Sequence, residues 1–361
     1  MLIGSWPAHQ GGRANLGPAN YRDFTMSIDL HAHSVPAELI DLLRVEGKAL
    51  GIEVAEDGKG VTALLDGRRQ VGPIRTDLSD MSLRLQTMDK TGVDIQVLSG
   101  WIDLTGYELA LEAGATYARR FNEAMAAEVS AHPDRFMMLA TLPLQDGELS
   151  AIELEYAVTK LGAVGVEIAT TVDGIALTDA GLDAFWAKAD ELRCIVLLHP
   201  HMPLMGIDLT ANLLHNMVGR PLESTIAVGR LMVAGVLDRY PNLTMCLVHG
   251  GGALPYQIGR IQRGYDALTH VVATEMKSTP LELLAKMYFD TVVFTASSLR
   301  FLIDFAGVDH VVLGSDYPFP MGDLDPIATL DTVPDLTPDE RAAILEGNVK
   351  RLISEVRGRA G

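Results

Sequence analysis

The sequence predicts a (β/α)8 TIM barrel with a small β-hairpin insertion after its first strand. Three observations carry this. Short runs rich in Ile, Val and Leu alternate with longer segments of helical period, the pattern of βαβ units with parallel strands. Eight such runs occur. Four strand ends carry metal-competent side chains, which a closed barrel would gather on one rim. No Gly-x-Gly-x-x-Gly follows the first run, so an open dinucleotide-binding sheet lacks support.

In chain order, residues 1–25 hold Gly, Pro, Asn and Arg without apolar period and read as an arm or tail, with Met26 a possible start of the barrel unit that runs to residue 361. The predicted strands are Ser27–His33, Val93–Ser99, Phe136–Leu142, Ala163–Thr170, Cys194–His199, Leu243–His249, Met287–Val293 and His310–Asp316. Helical segments between them include Leu83–Lys90, Glu108–His132, Ser150–Leu161, Leu182–Arg193, Glu223–Arg239 and Leu299–Phe305. Two stretches break the alternation. Residues 35–80 carry a Gly-punctuated piece, Ile52–Val71, that reads as the hairpin, and Met202 to Pro221 form a long excursion after the fifth strand. Long loops at the C-terminal ends of barrel strands usually cover substrate.

Composition narrows the function classes. A chain of 361 residues with 48% hydrophobic and 21% charged residues has a sizeable core. Its net charge of −18 argues against nucleic-acid binding, which needs a basic face, but not against a small anion met by a few local arginines or a metal. No run reaches the ~18 apolar residues of a membrane span, and no apolar leader is evident, so the cytoplasm is the expected location. Cys194 and Cys246 lie in apolar strand-like runs and are expected to be buried free thiols.

The chemistry lies in the strand ends. In Asp29-Leu30-His31-Ala32-His33, alternation puts the two imidazoles on one face, within reach of one metal. The fifth strand ends in His199, the sixth in His249 and the eighth in Asp316. Singly, each reads equally well as a polar residue capping the next helix. Together, His31, His33, His199 and Asp316 make a set of three imidazoles and one carboxylate that suits zinc, with manganese or iron as substitutes. Such a metal would make an activated water available near neutral pH. His249, followed by Gly250-Gly251-Gly252, reads as the acid/base, with a further metal ligand as the alternative.

These residues carry a family resemblance. From Met26 to about Ile353 the chain resembles the α-amino-β-carboxymuconate-ε-semialdehyde decarboxylase group of the amidohydrolase superfamily. The motifs are Ile28-Asp29-Leu30-His31-Ala32-His33-Ser34-Val35-Pro36, Leu142-Pro143-Leu144-Gln145-Asp146, Leu198-His199-Pro200, His249-Gly250-Gly251-Gly252-Ala253-Leu254-Pro255 and Leu313-Gly314-Ser315-Asp316-Tyr317-Pro318-Phe319-Pro320. The resemblance implies that His31, His33, His199 and Asp316 bind zinc, that His249 and Asp316 serve the catalytic step, and that Phe319 lines the substrate site. It also implies a homodimer in which Arg260 reaches the neighbouring active site, the alternative being a helix-surface cation. The family's other carboxylate-binding arginine precedes a Pro in the insertion, where this sequence has Gly72 before Pro73; Arg68, Arg69 and Arg75 are the nearby replacements, and Arg75 is taken as the substrate contact. His201 stands where the family has Trp and reads as a substrate contact or proton carrier, or as a supporting loop residue. Glu167, near the end of the fourth strand, admits a second bridged metal as an alternative.

The expected activity is nonoxidative decarboxylation of an unsaturated or aromatic carboxylic acid. The alternative is metal-dependent hydrolysis or hydration of a ring-fission product, lactone or amide. A scaffold that has lost catalysis is disfavoured because no ligand is missing.

Overall fold

The computed structural model describes residues 26–58, 60–201, 207–272 and 275–360; the predicted arm of residues 1–25 lies outside them. All eight predicted barrel strands are present: β1 (Ile28–Ser34), β5 (Ile95–Gly100), β6 (Phe136–Ala140), β7 (Gly165–Ala169), β10 (Ile195–His199), β11 (Thr244–Leu247), β12 (Tyr288–Asp290) and β13 (Val311–Val312). They lie in that order in one parallel sheet. The first and last strands meet through Leu30 N–H donating to the Leu313 carbonyl at 2.9 Å, His33 N–H donating to the Tyr317 carbonyl at 2.7 Å, and a bridge between Ala32 and Tyr317. The sheet is thereby closed, and its edges are removed.

The barrel interior is a single apolar cluster. Ile28, Leu30, Ile95, Val97, Leu139, Ile195, Leu197, Cys246, Val248 and Val312 belong to it, together with Val349, Leu352 and Ile353 from the terminal helix Asn348–Ala360. Side chains on the outer faces of the strands pack against the surrounding helices, for example Val166 and Val196 with Phe185 and Trp186 of the helix Asp183–Leu192. Both cysteines are buried and unpaired, as their apolar surroundings predicted.

A bulge in β1 aims the first two histidines. Its register against β5 shifts between Asp29 and Ala32, so that β1 carries one extra residue there. Ile28 and Leu30 belong to the interior cluster, whereas Ala32 belongs to the outer one with Val35 and Leu39. The parity therefore changes across the bulge, and His31 and His33 project to the inside where simple alternation from Leu30 would turn them out.

The insertion after the first strand contains the predicted hairpin, β2 (Ile52–Asp57) with β3 (Gly60–Leu65), and β4 (Arg69–Ile74) extends it to a three-stranded antiparallel sheet. Its third strand contains Gly72-Pro73, residues of poor strand propensity that hide it from a pattern search. The predicted helix Glu223–Arg239 is two helices, Arg220–Val233 and Val236–Arg239. The remaining two strands, β8 (Thr171–Val172) and β9 (Ile175–Ala176), make a small ribbon after β7. No helix among the described residues is long and apolar enough to cross a membrane.

Candidate metal centre and active site

The C-terminal ends of β1 and β10, with the segments that follow β11 and β13, bring His31, His33, His199, His249 and Asp316 together. His31 Nε2 lies 3.2 Å from His33 Nε2 and 3.5 Å from Asp316 Oδ1, and His33 Nε2 lies 3.1 Å from the same oxygen. His249 Nε2 is 3.5 Å from Asp316 Oδ2. His31, His199, His249 and Asp316 offer ligand atoms that all lie within 4.8 Å of one another. Donor atoms about 3.3 Å apart are spaced as neighbouring corners around an ion with bonds of about 2.1 Å.

The opposite ring nitrogens are already engaged. His31 Nδ1 lies 2.7 Å from Asp290 Oδ2, His33 Nδ1 3.1 Å from the Gly100 carbonyl, and His199 Nδ1 2.7 Å from the Pro200 carbonyl. Each partner is an acceptor, so each Nδ1 carries the proton and donates it, and each Nε2 turns a lone pair inward. Lone pairs and a carboxylate oxygen packed at 3.1–3.5 Å repel unless a cation stands between them. His199 Nε2 is in addition buried without a hydrogen-bond partner. The donor set therefore fits a divalent ion, the softer nitrogen ligands favouring a transition metal over calcium or magnesium.

The ionisation pattern agrees with a site built for a cation. Burial lowers the pKa of His31, and burial with the neighbouring imidazoles holds that of His199 well below the ordinary histidine range. Burial also opposes charge on His33, but the carboxylates of Glu167 and Asp316 outweigh it and raise its pKa. For Asp316, burial is overcome by His249, His33 and His31, which keep it ionised well below the usual carboxylate range. Glu167 is pushed up to about 7 by burial, tempered by His33. It approaches His33 Nδ1 at 3.6 Å, on the side of the ring that also faces Gly100, and with His33 and His199 it makes a second group of close donors.

A cavity of about 830 Å³ opens onto His199, His249 and Asp316. Phe319 lines it beside Trp101, with ring centroids 5.8 Å apart. The other proposed contacts stand elsewhere. His201 is buried and set behind the wall, its Nδ1 3.2 Å from Asp103 Oδ1, and it is Asp103 that faces the cavity. Arg75 does not line the cavity; it forks onto Asp77 at 2.9 and 2.5 Å, the nearest opposite charge along the chain. Arg68 is tied to Asp66, Asp173 and the Glu108 carbonyl, and Arg69 to the Glu108 carboxylate. Gly72 could not simply be exchanged for an arginine: its φ is +127°, and a Cβ there would meet Thr62 and the Val61 carbonyl at 3.0 Å. Arg260 is exposed on the helix Leu254–Val272 and does not line the cavity of its own chain.

Several supporting residues escaped the sequence reading. Asp290 holds His31 and also accepts the Gly250 N–H at 2.8 Å, joining the first candidate ligand to the turn that carries His249. Asp29, pushed up to about 6 by burial, accepts from the Gln96 amide, the Ser315 hydroxyl and the backbone N–H groups of His31 and Ser315. Buried Arg84 donates to the His33 carbonyl at 2.5 Å and to Gln96 at 3.1 Å, and sits over the Tyr317 ring. The available signal is Asp290 itself, an acidic residue that ends the seventh strand. Arg220, at the start of its helix, is on the cavity wall and was likewise unmarked.

The chain is similar to known proteins over most of its length. The amidohydrolase family model matches residues 28–353. The 2-amino-3-carboxymuconate-6-semialdehyde decarboxylase of Dictyostelium discoideum is 31% identical over 325 residues, 90% of each chain. The crystal structure of 5-carboxyvanillate decarboxylase from Sphingomonas paucimobilis superposes with a TM-score of 0.78 at 25% identity, covering 92% of this chain and 99% of that one. That of a dihydroxybenzoic acid decarboxylase from Polaromonas sp. JS666, with bound manganese and 2-nitroresorcinol, gives 0.74 at 25% identity, covering 92% and 97%.

Proposed function

Because the chain belongs to the amidohydrolase family, we propose that it is a metal-dependent nonoxidative decarboxylase, a carbon–carbon lyase acting on an unsaturated or aromatic carboxylic acid. The observation that carries this is the convergence of His31, His33, His199 and Asp316 beside His249 on one cavity, in a chain whose relatives over nine-tenths of its length are decarboxylases.

In this reading the four residues hold one divalent ion, zinc, with the manganese of the Polaromonas neighbour as the competing identity. The bound ion supplies positive charge that fixes and polarises substrate oxygens. His249 is the proton carrier, and Asp316, 3.5 Å away, orients it. Heterolysis of the bond to the carboxyl carbon releases CO2 and leaves the electron pair on the ring or chain carbon; the imidazolium of His249 gives its proton to that carbon and recovers one from solvent. Trp101 and Phe319 offer apolar faces to a planar acid.

The working unit is a homodimer in which Arg260 reaches the partner's cavity. In support, Arg260 has no ion pair among the described residues and stands on a helix whose Tyr256 is 81% exposed and whose Leu268 and Val271 are also exposed. Buried unpaired cysteines suit a reducing compartment, the cytoplasm. The test is incubation of the purified, metal-loaded protein with aromatic and muconic acids while CO2 release and product mass are followed. A product lighter by CO2 is expected; a product heavier by water, or a released acid, would instead establish the hydrolase or hydratase.

A further inference from the structure

The geometry points to Arg220 as the residue that holds a second carboxylate of the substrate, so that the enzyme acts on planar dicarboxylic acids. This rests on the decarboxylase reading above and specifies its substrate class. Among the described residues that line the cavity, Arg220 is the one arginine or lysine. It does not align with the family's insertion arginine, whose place is taken by Gly72, and is instead the first residue of the helix Arg220–Val233.

Its surroundings hold the guanidinium in place without satisfying it. Nη1 donates to the Pro200 carbonyl at 3.3 Å, and the same oxygen accepts from His199 Nδ1 at 2.7 Å. Arg220 is therefore one carbonyl and one imidazole ring away from the nitrogen that faces the centre. Nη2 lies 3.8 Å from Asp103 Oδ2, an ion pair too long to be a hydrogen bond, while Asp103 turns its other oxygen to His201 at 3.2 Å. Nε is buried and has no partner. A side chain only 17% exposed, with five N–H groups and one long hydrogen bond, is an incomplete site for an anion.

The flat, apolar wall of Trp101 and Phe319 and the cavity volume of about 830 Å³ suit a ring or conjugated chain. One carboxyl of such an acid faces His249 and Asp316 and is the one lost. The other meets Arg220, whose planar fork matches a carboxylate. Asp103 opposes a second anion nearby, so the gain comes from Arg220 outweighing it.

The test uses the full chain and two probes, benzene-1,3-dicarboxylate and benzoate, whose affinities are measured by calorimetric titration in metal-depleted and metal-loaded protein. Wild type is expected to prefer the dicarboxylate by about ten- to a hundredfold, the range of a charge-assisted contact, in both forms. In Arg220→Met the preference should fall to within about threefold, with benzoate affinity kept. Arg220→Lys, which keeps charge without the fork, should retain part of the preference and serves if the Met variant does not fold. No preference in wild type, an unchanged preference in either variant, or equal loss of both ligands overturns the assignment. The two readings fail separately: a persistent preference without CO2 release from any acid removes the decarboxylase alone, and CO2 release without the preference removes the Arg220 subsite alone.

Discussion

Asp290 Oδ2 sits 2.7 Å from His31 Nδ1, and neither side chain reaches solvent. The carboxylate fixes which nitrogen of His31 bears the proton and makes the other, the proposed ligand atom, a stronger electron-pair donor. Its own pKa is held below the ordinary range despite burial, chiefly by the bond to His31. Asp290→Asn should lower metal affinity about ten- to a hundredfold. Metal content after dialysis against a graded chelator checks this, and unchanged content would reduce Asp290 to packing and to its bond with Gly250.

His31 and Asp316 are proposed ligands, whereas His249 is proposed to move the proton. His31→Ala and Asp316→Ala should lose metal and activity together. His249→Ala should keep about one equivalent of metal while turnover falls by about 10²–10⁴. Elemental analysis beside a CO2 assay separates the roles. A folded Asp316→Ala protein with full metal would make Asp316 catalytic only, and two equivalents in wild type would assign Glu167, His33 and His199 to a second ion.

If Arg260 serves the neighbouring site, two inactive proteins should complement each other. Arg260→Ala and His249→Ala subunits, mixed, dissociated and reassociated, should regain activity, because a hybrid dimer has one site with both residues intact. Activity that stays at the level of the separate variants would return Arg260 to a surface cation.

Gly252 follows His249 in the turn, with φ at +65°, and a Cβ there would lie 2.1 Å from the Pro221 carbonyl. Gly252→Ala should therefore cost about 1–3 kcal/mol from the backbone conformation alone, and more from the collision. Urea unfolding should show a lower midpoint. A variant of wild-type stability would mean that the helix beginning at Arg220 can draw back freely from the turn.

The barrel was legible because its strands are buried on both faces and read as continuous apolar runs, which the inner and outer clusters bear out. The metal-competent residues were legible for a related reason: His31, His33, His199 and Asp316 interrupt or follow runs that are otherwise mostly apolar. The third insertion strand was hidden by Gly72-Pro73, and the bulge in β1 by the absence of any composition that marks it. Asp290, Asp29 and Arg84 act in large part through contacts distant in sequence, 40 residues for Gly250 to Asp290 and 286 for Ser315 to Asp29, and no local pattern records these. The arginines show the same limit. Arg75 was the nearer in sequence to the family position, yet Asp77 takes it, while Arg220 reaches the cavity from a helix about 150 residues away.

The bulged first strand and the segment carrying Asp316 meet where the barrel closes, and the histidine and the aspartate that approach there, His33 and Asp316, are 283 residues apart. The centre is consequently completed late in synthesis, with the segment that ends in the helix Asn348–Ala360 still to follow. A nascent polypeptide that has not yet emerged beyond residue 310 has its first two histidines in place but lacks the strand that completes the ring. Metal capture at the proposed centre would then wait for the eighth strand, so that a product truncated or stalled before it stays unloaded and open-edged, a distinction on which cellular proteolysis can act.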